Sequence, residues 1–89
     1  DMTYDQVFKR YIKEYARLHT RTWRDMEQYH NLYYDRFRGR TLEQILRGDV
    51  QNWVNHLGKT KKETANRQLE QMRAVIGWAI NADYYKGAN

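Results

Sequence analysis

The sequence predicts an all-α fold, built as a compact four-helix bundle in a single domain. Proline is absent from all 89 residues, and no segment alternates apolar and polar residues for long enough to form a strand. Apolar residues instead recur every three or four positions, which places them on one face of a helix. We expect four helices, at roughly 4–18, 22–38, 47–57 and 61–82.

The first two helices are predicted from their capping signals and apolar seams. Thr3 followed by Gln6 forms a capping box at the start of the first helix. Its seam consists of Tyr4, Phe8, Tyr11, Tyr15 and Leu18, with support from Val7 and Ile12. Thr20 or Thr22 can cap the second helix, and Gly39 provides its stop. Its seam consists of Trp23, Met26, His30, Tyr33 and Phe37, with His30 expected at the boundary of the core.

The third helix is predicted to be short and to follow a buried connection. The segment 40–48 places Leu42, Ile45 and Leu46 too close together for a full helix, but in position to close one end of the bundle. Asp49 suits the positive N-terminus of the helix that follows. The apolar positions of that helix are Val50, Trp53, Val54 and Leu57, and Gly58 ends it.

The fourth helix is predicted to be the longest. Thr60 and Glu63 stand at the spacing of a second capping box, so the helix is expected to begin near Lys61. Its seam consists of Ala65, Leu69, Met72, Val75, Ile76, Ala79 and Ile80. Gly77 lies inside the helix, where glycine costs about 1 kcal/mol relative to alanine. We therefore expect Gly77 to permit the close approach of a neighbouring helix.

Basic residues cluster along the chain. Sixteen Lys and Arg against eleven Asp and Glu give a formal charge of +5. Six basic residues and one acid lie between Lys9 and Arg24, and four arginines and one acid lie between Arg36 and Arg47. Such clusters are found both on solvated helical surfaces and at nucleic-acid interfaces, and composition alone leaves these two interpretations open.

The residue types needed for catalysis or metal binding are scarce. Cysteine and serine are absent, and the three histidines are not at metal-ligand spacing. We expect no catalytic residue, no metal site and no cofactor. Tyr84 and Tyr85 lack a surrounding set of cations and histidines, so packing at the domain edge is expected for them. The sequence contains no apolar run of about twenty residues, so it does not predict a membrane span.

The candidate binding residues lie at two helix starts. Free backbone amides and the helix dipole favour phosphate there, and side chains in the first turns can reach base edges. The predicted DNA-binding residues are Arg21, Thr22, Arg24, Lys59, Lys61, Lys62, Thr64, Asn66 and Arg67. We expect the two helix starts to lie side by side and to enter one groove. Asn66 and Arg67 are expected nearest the bases, although Arg67 could instead pair with Glu63 or Glu70.

Four segments, in order, resemble a known domain. They are TYDQVFKRYIKEY, RTWRDMEQYHNLYYDRF, the L-x-x-I-x-x-x-D-V pattern at Leu42, Ile45, Asp49 and Val50, and ETANRQLEQMRAVIGWAINADYYKGAN. The last segment carries Thr64, Ala65, Asn66, Arg67, Leu69, Met72, Trp78, Ala79 and Asn89. Together these segments resemble the N-terminal core-binding, SAM-like helical domain of phage integrases in the tyrosine recombinase family. Leu46 departs from the pattern, because members often have a threonine cap there.

The resemblance implies a role and a set of partners. Residues 1–89 would be one core-binding domain of a longer integrase, in which a catalytic domain carrying the nucleophilic tyrosine follows. The domain itself would be non-catalytic and would grip core-type attachment-site duplex DNA in the bacterial cytoplasm, at the nucleoid. Its partners would be double-stranded DNA, the catalytic domain of the same chain and other integrase protomers on DNA, with no membrane. The alternative is a helical protein–protein interaction adaptor whose exposed tyrosines meet a partner helix or an acidic protein.

Overall fold

Four helices account for most of the chain that the computed structural model describes, which is residues 2–85. Helix α1 comprises Tyr4–Tyr11, a π-helical turn Ile12–Ala16 and a final turn Arg17–His19; α2 is Trp23–Tyr33, α3 is Arg47–Gly58 and α4 is Lys62–Asn81. A short 3₁₀ turn, Leu42–Gln44, precedes α3. Residues 2–85 contain no strand, and the predicted all-α bundle is confirmed. Asn89, the last residue of the integrase-like pattern, lies outside the described residues.

The start of α1 is capped as predicted. The Gln6 amide donates to Thr3 Oγ1 at 3.3 Å, and the Thr3 amide donates to Gln6 Oε1 at 3.0 Å. The Tyr4 amide donates to the carbonyl of Arg40 at 2.8 Å, and Thr3 and Thr41 form an isolated β-bridge. Orphan amides of α1 are thus satisfied both by its own cap and by the segment that follows α2.

The π-helical turn corrects the predicted seam of α1. Ile12 and Ala16 are buried, whereas Tyr15 is 38% exposed and Leu18 is 76% exposed. A π turn holds one extra residue, which rotates every later position by about 100° around the helix axis. The expectation that Tyr15 and Leu18 belong to the core was therefore wrong, because Ala16 takes the inward position.

Helix α2 ends at Tyr33, five residues before the predicted end, and Gly39 is not its stop. Arg38 folds back, and its Nη2 donates to the carbonyls of His30 at 3.0 Å and Asn31 at 2.6 Å. A guanidinium in this position satisfies the last carbonyls of a helix. The sequence placed Phe37 in the helix. It lies in a turn instead and is still buried.

The remaining predicted caps are not formed. Thr22 stands at the N-cap of α2 without a side-chain cap bond, and Thr20 Oγ1 donates backward to the carbonyl of Ala16 at 2.9 Å. Lys61 is the N-cap residue of α4 and makes no side-chain cap bond, so the capping box expected from Thr60 and Glu63 is wrong. Helix α4 begins one residue later than the box would place it.

The connection between α2 and α3 is only partly buried. Leu42 is buried, but Leu46 is 62% exposed, which corrects the expectation that all three apolar residues close the bundle. Ile45 and Leu46 both have extended backbone, so their side chains point in opposite directions. Leu46 is the N-cap residue of α3 and makes no side-chain cap bond, yet the helix begins at Arg47 as predicted.

The core is largely aromatic. His30 is 3% exposed and stacks on Phe8 with ring centroids 4.0 Å apart, so the expected boundary position of this histidine was wrong. Tyr34 packs against Trp53 at 4.8 Å, and Trp53 Nε1 donates to the carbonyl of Tyr33 at 2.8 Å. These large side chains supplement a modest set of aliphatic residues. The buried hydrophobic residues are Tyr4, Val7, Phe8, Tyr11, Ile12, Ala16, Tyr34, Phe37, Leu42, Trp53, Ala65, Met72, Val75 and Ala79.

Helix α4 ends in a Schellman motif that joins it to α1. Asp83 has a left-handed φ of 63°, and the Tyr84 amide donates to the carbonyl of Ala79 at 2.9 Å. The Tyr84 hydroxyl donates to Glu14 on α1 at 2.8 Å. Tyr84 and Tyr85 both pack against the core, as expected.

Gly77 does not mark a close helix contact. A Cβ placed there would meet no atom within 4 Å outside its own helix backbone and chain neighbours, among the residues that the structure describes. The expectation of a tight approach at Gly77 was therefore wrong, and the glycine leaves open space.

Candidate nucleic-acid interface

The starts of α2 and α4 lie at opposite ends of an antiparallel pair. Lys61 Nζ bonds the Tyr33 hydroxyl at 3.2 Å, which places the start of α4 beside the end of α2. Thr22, at the start of α2, shares a groove with Ala74 in the middle of α4. Helix α2 has 11 residues. At ~1.5 Å per residue, the two starts are therefore separated by about 16 Å along the pair.

The expectation that these helix starts lie side by side was thus wrong. The physical reason is a buried contact between the two helices. The Tyr34 hydroxyl donates to the Gln68 carbonyl at 2.8 Å and to its Oε1 at 3.1 Å, which anchors the end of α2 to the second turn of α4. Sequence periodicity identifies the faces that pack but not the direction in which the helices pair.

The start of α4 carries three exposed lysines, Lys59, Lys61 and Lys62, which we call the lysine cluster. Within residues 2–85, none of the three forms an ion pair. Lys61 is restrained by Tyr33, whose ring centroid lies 5.6 Å from its Nζ. The first amides of α4 lack intrahelical partners, and the helix dipole adds positive potential there. The cluster therefore offers uncompensated positive charge to an anion.

A second basic group surrounds Trp23 at the start of α2. Arg17 and Arg24 each place the guanidinium carbon 5.1 Å from the Trp23 ring centroid. Arg21 is exposed nearby in sequence, and we call Arg17, Arg21 and Arg24 the arginine cluster. None of them is in an ion pair in the described part of the chain. Stacking on one indole restrains the two guanidiniums in position, which favours planar recognition of phosphate.

Arg17 was missed by sequence reasoning, as was the role of Trp23. Arg17 lies in the last turn of α1 and Arg24 lies on α2, with a non-helical segment between them, so no helical spacing in the sequence links the two. They meet only because both guanidiniums stack on Trp23.

Arg67 lies apart from both clusters, in a groove of about 350 Å³ between α2 and α4. Thr22 lines the same groove, together with Asp25 and Glu70. Over the described residues, Arg67 forms no ion pair, so the alternative pairing with Glu63 or Glu70 is not observed. The structure therefore brings Arg67 together with Thr22, in a groove whose charge is mixed.

Asn66 and Thr64 complete the predicted set on α4. Asn66 is exposed and Thr64 is partly buried. Successive residues of a helix project about 100° apart, so Asn66 and Arg67 leave the helix in different directions. Asn66 does not line the groove that holds Arg67. The two side chains can therefore contact different base pairs.

The buried His30 pairs with Asp5, a carboxylate whose side chain is 29% exposed. His30 Nε2 lies 2.9 Å from Asp5 Oδ1, and its Nδ1 has no partner among residues 2–85. Burial lowers the pKa of His30, and the opposing effect of Asp5 is smaller. Burial alone would raise the pKa of Asp5, but hydrogen bonds from His30 and Lys9 outweigh it and the pKa is lowered. The arrangement fits a neutral imidazole whose Nε2–H donates to the carboxylate.

Metal sites and membrane-spanning helices are both absent from the part of the chain that the structure describes. No group of three or more His, Cys, Asp or Glu side chains there is arranged to hold a metal ion. None of the helices formed by those residues combines the length and the apolar character needed to cross a bilayer.

Comparison of the chain with protein-family models, curated proteins and solved structures gives no significant match. The resemblance to integrase core-binding domains therefore stays a prediction from the sequence.

Proposed function

We propose that this domain binds double-stranded DNA, with the lysine cluster on the phosphate backbone. The observation that carries the proposal is that all three lysines are exposed and unpaired with acids in the described residues. Elsewhere on the surface, Lys9 and Arg10 are neutralised by Asp5 and Glu14. A surface ion pair adds only about 0–1 kcal/mol, so what favours phosphate binding here is that the lysines are clustered and free to contact phosphate.

The separation of the two basic clusters suggests how the duplex is held. They lie at opposite ends of the α2–α4 pair, about 16 Å apart by helical rise. The major groove is about 12 Å wide, and each of its edges is a phosphate backbone. In this proposal the lysine cluster contacts one backbone and the arginine cluster contacts the other, while Arg67 faces base edges between them. Asn66 leaves α4 in a different direction and contacts a different base pair.

The finer role that we propose is that of an integrase core-binding domain. The four sequence segments described above support it, together with four helices in the expected order and a third helix at the expected start. In that role the domain grips core-type attachment-site duplex, and a catalytic domain in the same chain and other protomers on the DNA are its partners. The proposal places the protein in the bacterial cytoplasm, at the nucleoid.

Titration of a fluorescent duplex at several salt concentrations tests the proposal. If about five phosphates are neutralised, log affinity should fall against log salt with a slope of roughly −4 to −5. Changing Lys61 and Lys62 to Ala should reduce the steepness of that slope by about 2 and weaken binding to all sequences. The matched control changes Lys9 and Lys13 to Ala, which removes the same charge from α1 and should leave the slope nearly unchanged.

Two outcomes would oppose the proposal. A flat salt response of the unmodified protein would exclude binding through phosphates and favour the alternative of a protein-interaction domain. Equal losses in the lysine-cluster variant and the α1 control would show a general effect of net charge rather than a defined contact surface.

A further inference from the structure

A second groove, of about 670 Å³, opens where the end of α2, the end of α3 and the start of α4 meet. Its polar lining includes Tyr33, Arg36, His56, Thr60 and Lys61. Arg36 and His56 are not among the predicted DNA-binding residues. Arg36 lies in the connection after α2, 25 residues from Lys61 in sequence, whereas His56, near the end of α3, is five residues from Lys61; the fold brings all three to one groove.

Hydrogen-bond donors are in excess in this groove. The side chains of Arg36, His56 and Thr60 have no hydrogen-bond or ion-pair partner in the part of the chain described. The Tyr33 hydroxyl accepts from Lys61, so its own proton remains free to donate. A cleft lined by free donors, with Lys61 held against Tyr33 and the exposed Arg36 beside it, is complementary to an acceptor-rich anion.

The carboxylate in this groove does not cancel its charge. Asp35 lines the groove, but one of its oxygens lies 3.5 Å from Arg38 Nε, so this acid already has a cation of its own. The net charge facing the cleft from Arg36 and Lys61 is therefore positive.

We propose that this groove binds a phosphodiester of the duplex backbone, with Arg36 and Lys61 on the phosphate oxygens and His56 and Thr60 donating beside them. The inference rests on the proposed function, because it extends the contact of the lysine cluster. Lys61 belongs to both surfaces, and a DNA strand carries one phosphate per ~3.4 Å of helix axis. A backbone that follows the lysine cluster therefore continues into the groove.

Arg36→Ala is the direct test, and Arg47→Ala is its matched control. Arg47 is an exposed arginine at the start of α3, about 14 Å along the helix axis from His56, and makes no ion pair within the described residues. Arg36→Ala should weaken duplex binding roughly three- to tenfold at 0.1 M salt. It should also make the salt slope less steep by about 0.9, and Arg36→Lys should restore that slope. Arg47→Ala should change neither quantity.

Amide chemical shifts identify the source of the anion. Shifts at residues 33–36, 56 and 60–61 should appear with duplex DNA and not with inorganic phosphate or poly-glutamate at the same ionic strength. Equal shifts with inorganic phosphate would instead indicate a small-anion site. Shifts with poly-glutamate but not with duplex would indicate an acidic protein partner. Either result would overturn the assignment to a DNA backbone.

The two proposals fail in different ways. A flat salt response of the unmodified protein removes the proposed function and this inference together. A steep response that Arg36→Ala and Arg47→Ala leave equally intact overturns the groove assignment alone. Circular dichroism melts of each variant confirm that the fold is retained before binding is compared.

Discussion

Removing the hydroxyl of Tyr34 should destabilise the domain, whereas removing that of Tyr4 should not. Both side chains are fully buried, and their rings stack in parallel with centroids 5.5 Å apart. Burial raises the pKa of both hydroxyls, so both stay protonated. The two hydroxyls differ in their hydrogen-bond partners. Tyr34 donates to Gln68, and Tyr4 has no hydrogen-bond partner among residues 2–85.

The expected magnitudes follow from this difference. Tyr34→Phe removes the donor shared by two buried acceptor oxygens of Gln68, and leaving such groups unsatisfied costs about 2 kcal/mol. For a domain of this size that corresponds to a fall in Tm of roughly 8–16 °C. Tyr4→Phe removes a buried hydroxyl that makes no bond to the described protein, so the free energy of unfolding should stay within about 0.5 kcal/mol or rise.

Urea and thermal unfolding, followed by circular dichroism and tryptophan fluorescence, measure both changes. The urea m-value should stay constant, which shows that stability rather than compactness has changed. A double-mutant cycle of Tyr34→Phe with Gln68→Ala should give a coupling energy above about 0.5 kcal/mol. Equal destabilisation by Tyr34→Phe and Tyr4→Phe would refute the reasoning, because shape rather than hydrogen bonding would then decide stability.

Two further predictions concern α2 and α4. Stability should fall as the pH drops below about 6.5, because burial holds the pKa of His30 below that of the unfolded state, which then binds the proton first. Melts between pH 7 and 5 should show this, and His30→Phe should flatten the dependence; a Tm constant over that range would contradict it. The lowered pKa of Asp5 affects stability only in more acidic solution, below about pH 3.8, where the unfolded state binds the proton first. Gly77→Ala should add about 0.5–1 kcal/mol in urea unfolding, since a Cβ there meets open space. A lower unfolding midpoint would reveal a contact that the open space does not suggest.

The sequence predicted the number, order and approximate bounds of the helices because amphipathic periodicity is a local signal. It failed where side-chain contacts, rather than periodicity, decide the local conformation. The end of α2 depends on Arg38, which reaches back to the carbonyls of His30 and Asn31. The π turn of α1 depends on which residue the core accepts at the inward position, and that is Ala16 rather than Tyr15.

The candidate site was predictable in composition but not in arrangement. Unpaired lysines before a long helix are visible in the sequence, and the structure leaves them unpaired among the residues it describes. The antiparallel direction of α2 and α4 follows from two contacts, the bond from Tyr34 to Gln68 and the groove that Thr22 shares with Ala74, and no periodic pattern encodes it. Arg36 became a neighbour of His56 and Lys61 only through tertiary packing.

The positions of the acidic residues favour different roles for the basic residues in the proposed DNA complex, some contacting phosphates and others bases. Asp25 and Glu70 line the groove that holds Arg67, yet neither forms an ion pair with it in the described residues. Two carboxylates repel a phosphate but not a base edge, which carries donors and acceptors without net charge. Near the lysine cluster, Glu63 lies in the first turn of α4 and Asp35 lines a groove with Lys61, but neither acid pairs with a lysine in the described residues. Phosphate contacts are therefore favoured at the two basic clusters and disfavoured at Arg67, which supports assigning Arg67 to the bases.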